Sequence, residues 1–258
     1  MTVKQIFELI DKTAPFSTQM DFDNAGLLVG DPNQQVAKAL LALDCTPQVV
    51  EEAEKLGAQL IITHHPLIWQ PMKKVTAESL VYRLIRSNIS LISAHTNLDV
   101  SPIGVNEYLA RTLGLEDIEP LEITSTDEDN VYALGRVGTL PTALTAEEFA
   151  HRTAELLDCN GIRYTGWGGQ ITKVAVCGGS GGSMVGKALA AGAQALVTGD
   201  VKHDVFLAAA AAGLVLVDAG HFETETVILP HLCELLEEQA PSVTFTIAQS
   251  NIAPIRTV

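Results

Sequence analysis

The chain contains no C-x-x-C pair. Its four cysteines, Cys45, Cys159, Cys177 and Cys233, lie far apart, which excludes a zinc ribbon and a dithiol redox motif. Separate, reduced thiols are the expectation. Long apolar runs are also missing: the longest, Phe206 to Val217, has 12 residues and contains Gly213, too short to span a membrane. Positive charge is scarce, with 16 Lys and Arg against 31 Asp and Glu and a formal charge of −15. That field works against nucleic-acid phosphates and anionic lipid as general partners. The opening MTVKQIFELIDKTAPF carries acids and lacks the basic start and apolar block of a secretory signal, so it reads as a first helix. A soluble, cytoplasmic protein is expected. With 47% apolar and 18% charged residues, nothing points to disorder.

What is present is an alternation of short β-branched runs with helical segments, the pattern of βαβ units around a mostly parallel sheet. Candidate strands are Ala39 to Leu43, Leu60 to Thr63, Ser90 to Ser93, Val131 to Val137, Lys173 to Cys177, Ala195 to Thr198 and Leu214 to Val217. GAQLIITHHP (57–66) aligns with GAQALVTGDV (192–201), and the strand after each ends in a histidine followed four residues later by a carboxylate: His95 with Asp99, His221 with Glu225. The expectation is an α/β fold of two pseudo-symmetric lobes with mostly parallel sheets, in residues 1–124 and 171–258, joined by a bridging segment at 125–170. The competing reading is chance likeness, because α/β proteins reuse the same strand–turn–helix grammar.

The polar clusters fall at predicted strand C-termini: Asp44, His64 and His65, His95 with Asp99, Gly199-Asp200, and Asp218 to Glu225. Open α/β sheets bind ligands at that edge, so clusters distant in sequence can converge. His64, His65, His95, Asp99, His221 and Glu225 make a set of imidazoles and carboxylates without thiolates, suited to Zn, Mn or Fe(II). Six candidates exceed the three or four protein ligands of one catalytic zinc, so two ions are the economical count. On a helix, His221 and Glu225 at i and i+4 share a face. The alternative, acids near a helix N-terminus that offset its dipole, lacks the parallel His95–Asp99 pair as support. His151 and His231 read as surface residues.

Three further stretches stay open. CGGSGGS (177–183) is either a tight βα turn or an anion site, and matches neither dinucleotide nor Walker patterns. DFDNAGLLVG (21–30) is explained by turn chemistry. TGDVKHD (198–204) offers Asp200, Lys202 and His203 as residues that line the same cleft.

With DNAGLLVG, THHP, HTNLD, CGGSGG, TGDVKHD and DAGHFETE in this order over almost its full length, the chain resembles the dinuclear-metal Nif-three-like family, in its compact bacterial form. Members are often labelled GTP cyclohydrolase 1 type 2. The resemblance implies a two-lobed fold with the metal site at strand C-termini between the lobes, assembled as a ring-like homo-hexamer. It implies two divalent ions per subunit, of Zn, Fe or Mn type. Glu225 would bridge them, His65 and Asp99 would complete one, and His64 and His221 the other, with His95 close behind or facing substrate. The implied activity is a hydrolase acting on a nucleotide or related small molecule, attacking C8 of a purine such as GTP, with His95 and Glu225 as the catalytic candidates and His203 as a further proton carrier. The glycine loop or Lys202 would then hold phosphates. A non-catalytic metal carrier, sensor or regulatory scaffold is the alternative.

Overall fold

Runs of four consecutively buried residues form the inner strands, as expected where helices cover both faces of a parallel sheet. They are seen in a computed structural model whose described residues are 1–166 and 168–257. In chain order the elements are α1 (Val3–Thr13), β1 (Gly26–Val29), β2 (Lys38–Ala42), α2 (Pro47–Leu56), β3 (Leu60–Thr63), α3 (Leu80–Arg86), β4 (Ser90–Ser93), α4 (Thr96–Val100) and α5 (Val105–Thr112). There follow β5 (Glu116–Thr126), β6 (Val131–Leu144), α6 (Ala146–Leu156), β7 (Arg163–Tyr164), β8 (Ile171–Val176), α7 (Val185–Ala190), β9 (Ala195–Thr198), α8 (His203–Ala211), β10 (Val215–Asp218), α9 (His221–Glu225), α10 (Ile228–Gln239) and β11 (Thr244–Ile247). The expected first helix is α1. It opens on a capping box in which Thr2 and Gln5 each bond the other's backbone N–H, and it buries Val3, Ile6 and Ile10. Among the described residues no helix is long and apolar enough to cross a membrane.

The chain forms two compact units, Met1–Leu98 with Leu229–Ile252, and Asp99–Ile228 with Ala253–Val258. The first holds a five-stranded sheet in the order β1-β4-β3-β2-β11, parallel except where β1 meets β4. Leu40, Ala42, Ile61 and Leu91 on one face pack with Val49, Val50, Ala53 and Leu84 from α2 and α3.

The second unit holds a six-stranded sheet in the order β5-β6-β8-β9-β10-β7. Here β8, β9 and β10 are parallel, while β5, β6 and β7 pair antiparallel, so this sheet departs from the mostly parallel expectation. Val174, Val176, Ala195, Val197, Val215 and Val217 face one core, and Ala175, Leu196 and Leu216 face another, the two-sided burial that makes these strands continuous apolar runs.

The division differs from the expected 1–124, 125–170 and 171–258. Residues 131–144 are not a bridge: β6 is hydrogen-bonded on both sides, to β5 and β8, and so belongs inside the second sheet. Residues 229–252 do not stay with the second unit either, because β11 extends the first sheet beside β2.

The internal repeat is visible as shared register. Ala39 pairs with Leu60 and Leu60 with Ser90; Val174 pairs with Ala195 and Ala195 with Val215. The glutamine of each GAQ triplet makes the same bracket: Gln59 Oε1 accepts from Ala37 and Lys38 N–H, and Gln194 Oε1 from Thr172 and Lys173 N–H.

Candidate metal centre

In the first unit the chain leaves β3 through His64 and His65, and their backbone is tied down. The His64 carbonyl accepts from Ser93 Oγ at 2.8 Å and the His65 carbonyl from Thr63 Oγ1 at 2.9 Å. The His64 ring, 2% exposed, places Nδ1 2.9 Å from the Ala94 carbonyl. His65 Nδ1 lies 2.9 Å from Asp44 Oδ1, at the tip of β2, and His95 Nδ1 lies 2.8 Å from Asp23 Oδ1. Each of these acceptors carries no proton to give to a neutral ring, so it fixes Nδ1 as the protonated nitrogen and leaves Nε2 with its lone pair. The three histidines each offer one ring nitrogen, and these lie within 4.8 Å of one another. This is a group able to hold a metal ion. Trp69, half exposed, sets its ring edge-on to His95 with centroids 5.1 Å apart.

Asp23 makes a contact with the histidine group that turn chemistry alone does not foresee. Its carboxylate accepts from His95 and from both the backbone and side chain of Thr96. Burial pushes its pKa up, but these bonds and the His95 charge outweigh that and hold it at about 2. Asn24 ties the same turn to the Trp69 loop through the Ile68 carbonyl at 2.7 Å.

In the second unit His221 opens α9, its Nδ1 2.7 Å from Asp200 Oδ2 and its Nε2 3.0 Å from Glu225 Oε2. The i, i+4 expectation for His221 and Glu225 is therefore met on a helical turn. Glu225 is 3% exposed and Asp99 8%. Burial, followed by the charges of Asp99 and Glu225, pushes the Cys177 thiol far above its ordinary range, so Cys177 is an inert core thiol. Asn106 is fully enclosed. Its amide donates to the Asp99 carbonyl and accepts from Gly178 N–H, joining the start of α4's second half to the glycine loop.

The glycine loop is a wall for Glu225, and three of its backbone donors are spent internally. Gly178, Gly179 and Gly181 N–H groups go to Asn106, Thr224 and Thr198 side chains. Gly179, at φ +59°, leaves no room for a side chain, since a Cβ there would stand 2.1 Å from Glu225 Oε1. CGGSGG forms a tight turn in which the Gly178, Gly179 and Gly181 N–H groups are engaged within the fold. Lys202 and His203 stand exposed at the start of α8, and His151 is exposed on α6.

The two His-x3-carboxylate motifs are not register-equivalent. Ala94 and Ala219 make the same bond, to the Thr63 and Thr198 carbonyls, and α4 and α9 begin two residues later in each copy. His95 thus matches Gly220, and His221 matches Thr96. The repeat supplies the platform, and the histidines stand at different positions on it.

Both sheets therefore carry imidazoles and carboxylates at strand C-termini, which defines a mixed α/β protein with metal-competent His, Asp and Glu groups. The chain belongs to the Duf34/NIF3 (NGG1p interacting factor 3) family, whose description matches residues 1–254. It is 35% identical over 247 residues to a GTP cyclohydrolase 1 type 2 homolog of Clostridium perfringens, covering 94% of each chain. A protein of the same name from Streptomyces coelicolor is 38% identical over 231 residues, covering 86% of this chain and 81% of its own. Among solved structures, a Bacillus cereus protein related to NIF3 superposes with a TM-score of 0.94 at 26% identity, covering 100% and 99% of the two chains. A hypothetical protein of Staphylococcus aureus gives 0.91 at 30% identity, with the same coverage.

Proposed function

We propose that this protein is a dinuclear metal-dependent hydrolase acting on a nucleotide or a related small molecule, of the GTP cyclohydrolase 1 type 2 kind. One observation carries the reading: His64, His65 and His221 each have Nδ1 engaged by a backbone carbonyl or a carboxylate, the arrangement that prepares Nε2 for a metal. Two buried carboxylates, Asp99 and Glu225, complete a donor set whose burial bound cations would offset. In this reading His65 and Asp99 would hold one divalent ion of Zn, Fe or Mn type, His64 and His221 would hold the other, and Glu225 would serve both.

When bound, two such ions would supply Lewis-acid polarisation and a water of lowered pKa. The chain's own contribution is orientation and proton transfer. Asp44 and Asp200 hold His65 and His221 in one tautomer. His95, anchored through Nδ1 by Asp23, keeps Nε2 to take a proton from the attacking water and return it to the leaving nitrogen, and Asp23 stabilises the imidazolium in between. For a purine nucleotide the reaction is hydrolytic opening of the five-membered ring at C8. The resemblance further supports a cytoplasmic, ring-like homo-hexamer as the working form, which light scattering after gel filtration tests directly.

The deciding experiment loads purified protein with Zn, Mn or Fe(II), measures bound metal per chain, and follows masses in GTP and in a metabolite extract beside a His64→Ala control. Two metals per chain with substrate consumed is the expected result. GTP left intact by metal-loaded protein removes the GTP reading; metal bound with no mass changed anywhere leaves a carrier or sensor; no metal after loading sinks both. Glu225→Gln should abolish turnover while the assembly persists.

A further inference from the structure

We propose that Arg163 is the residue that anchors a phosphate group of the substrate. This rests on the reading of the protein as a nucleotide hydrolase, and it assigns to that substrate an anion contact in a pocket that His221 also lines.

The second unit contains a pocket of about 580 Å³, within the size range of small-molecule sites, whose lining includes Arg163, Asp200, Asp218, Gly220 and His221. His221 is a ligand in the proposed centre, so a molecule in this pocket lies against the reacting end of the site. Arg163 is the only arginine or lysine among the described residues that line it.

The guanidinium is held rigidly although its side chain remains 66% exposed. Arg163 sits on β7, opposite Asp218 of β10. Its Nη2 donates to the Asp218 carboxylate and, at 3.1 Å, to the Val201 carbonyl, while the guanidinium carbon lies 5.2 Å from the centre of the Phe206 ring. Long surface arginines ordinarily keep their rotamer freedom, and three restraints on one of them remove it before any ligand arrives. All of that anchoring falls on Nη2 and the ring face. Nε and both N–H bonds of Nη1 have no acceptor among the described residues, and they are the donors left for an anion.

The two carboxylates in the pocket do not contradict an anionic ligand, because both are already engaged. Asp218 accepts from Arg163 and from Val201 and Gly220 N–H, and Asp200 is bonded to His221. A phosphate is the natural occupant under the nucleotide reading: charge-assisted bonds from an arginine to phosphate oxygens are among the strong ones.

The test is calorimetric titration of metal-loaded protein with GTP, guanosine, inorganic triphosphate and citrate, in the wild type, Arg163→Gln and Arg163→Lys. Thermal unfolding and metal content are recorded for each, so that a folding defect is seen as such. Loss of charged hydrogen bonds predicts GTP and triphosphate binding weakened roughly 10- to 100-fold in Arg163→Gln, partly restored in Arg163→Lys, and guanosine unchanged. Asp218→Asn, which keeps the arginine but loosens it, should give a smaller loss confined to the phosphorylated ligands, and it serves if Arg163→Gln does not fold. GTP bound equally by wild type and Arg163→Gln overturns the proposal. So does an equal loss for guanosine, dependence on Arg163 for citrate alone, or no binding of GTP and triphosphate by the wild type. The two readings fail separately: Arg163-dependent binding of GTP without turnover removes the hydrolase reading and leaves the anchor standing.

Discussion

Asp200 Oδ2 lies 2.7 Å from His221 Nδ1, and in the repeat register Asp200 occupies the position that His65 holds in the first copy. One strand tip supplies a ligand candidate, and its counterpart supplies the carboxylate that orients one.

That pairing makes Asp200 and Asp44 measurable. Replacing either by Asn keeps size but lets the imidazole choose its tautomer, and loss of such a partner costs about 10- to 100-fold in metal affinity. Chelator competition should show this in Asp44→Asn and Asp200→Asn, with thermal stability little changed. Unaltered affinity would mean the imidazoles are not ligands.

Gly179 and Gly186 should respond in opposite senses to alanine. At Gly179 the methyl meets the Glu225 carboxylate and the backbone is left-handed, so Gly179→Ala should cost on the order of 1–3 kcal/mol and lower metal content. Gly186 lies within α7 with nothing in reach of an added Cβ, so Gly186→Ala should stabilise by up to about 1 kcal/mol. Denaturant midpoints compare the two.

Acid stability should carry the signature of Asp23. Its folded pKa of about 2 is below the ordinary 3.8, so the stability it contributes is complete above about pH 4 and is lost as pH falls from there towards 2. Asp23→Asn should be less stable at neutral pH and show a flatter loss through that window. An acid transition identical to the wild type would mean the carboxylate is not held by His95 and Thr96.

Trp69 is a built-in reporter on the histidine group. The chain has two tryptophans, so Trp167→Phe leaves Trp69 as the single indole, 5.1 Å from the His95 ring centre. Titration with Co(II) should quench most of its emission, and His64→Ala with His65→Ala should remove the quenching.

Much of this was legible in the sequence, and the gaps have physical causes. Leu60–Thr63, Ser90–Ser93 and Ala195–Thr198 stand where their apolar runs predict, because burial on both faces forces an uninterrupted pattern. β5 escaped notice: its charged, Pro120-bearing sequence suits only a sheet edge, and it is a strand because β6 pairs with it. β11 and the two-residue β7 are likewise imposed by their neighbours. At the site, adjacency exposed His64 and His65, and spacing exposed His221 with Glu225. The acceptors Asp23, Asp44 and Asp200 sit 72, 21 and 21 residues from the histidines they orient, a relation that only pairing of strand tips reveals. The same spacing rule misled where it equated His95 with His221, since helical motifs one residue out of register look identical in sequence.

The register also sets which residues the second strand tip can carry. Gly199 is the counterpart of His64, and a Cβ on it would lie 2.7 Å from the His221 backbone nitrogen and 2.8 Å from the Gly220 carbonyl carbon. The second copy cannot take up a histidine there without displacing the main chain that begins α9. A histidine matching His64 is thus closed to the second copy by any single substitution, a ratchet set by the closeness of two backbones.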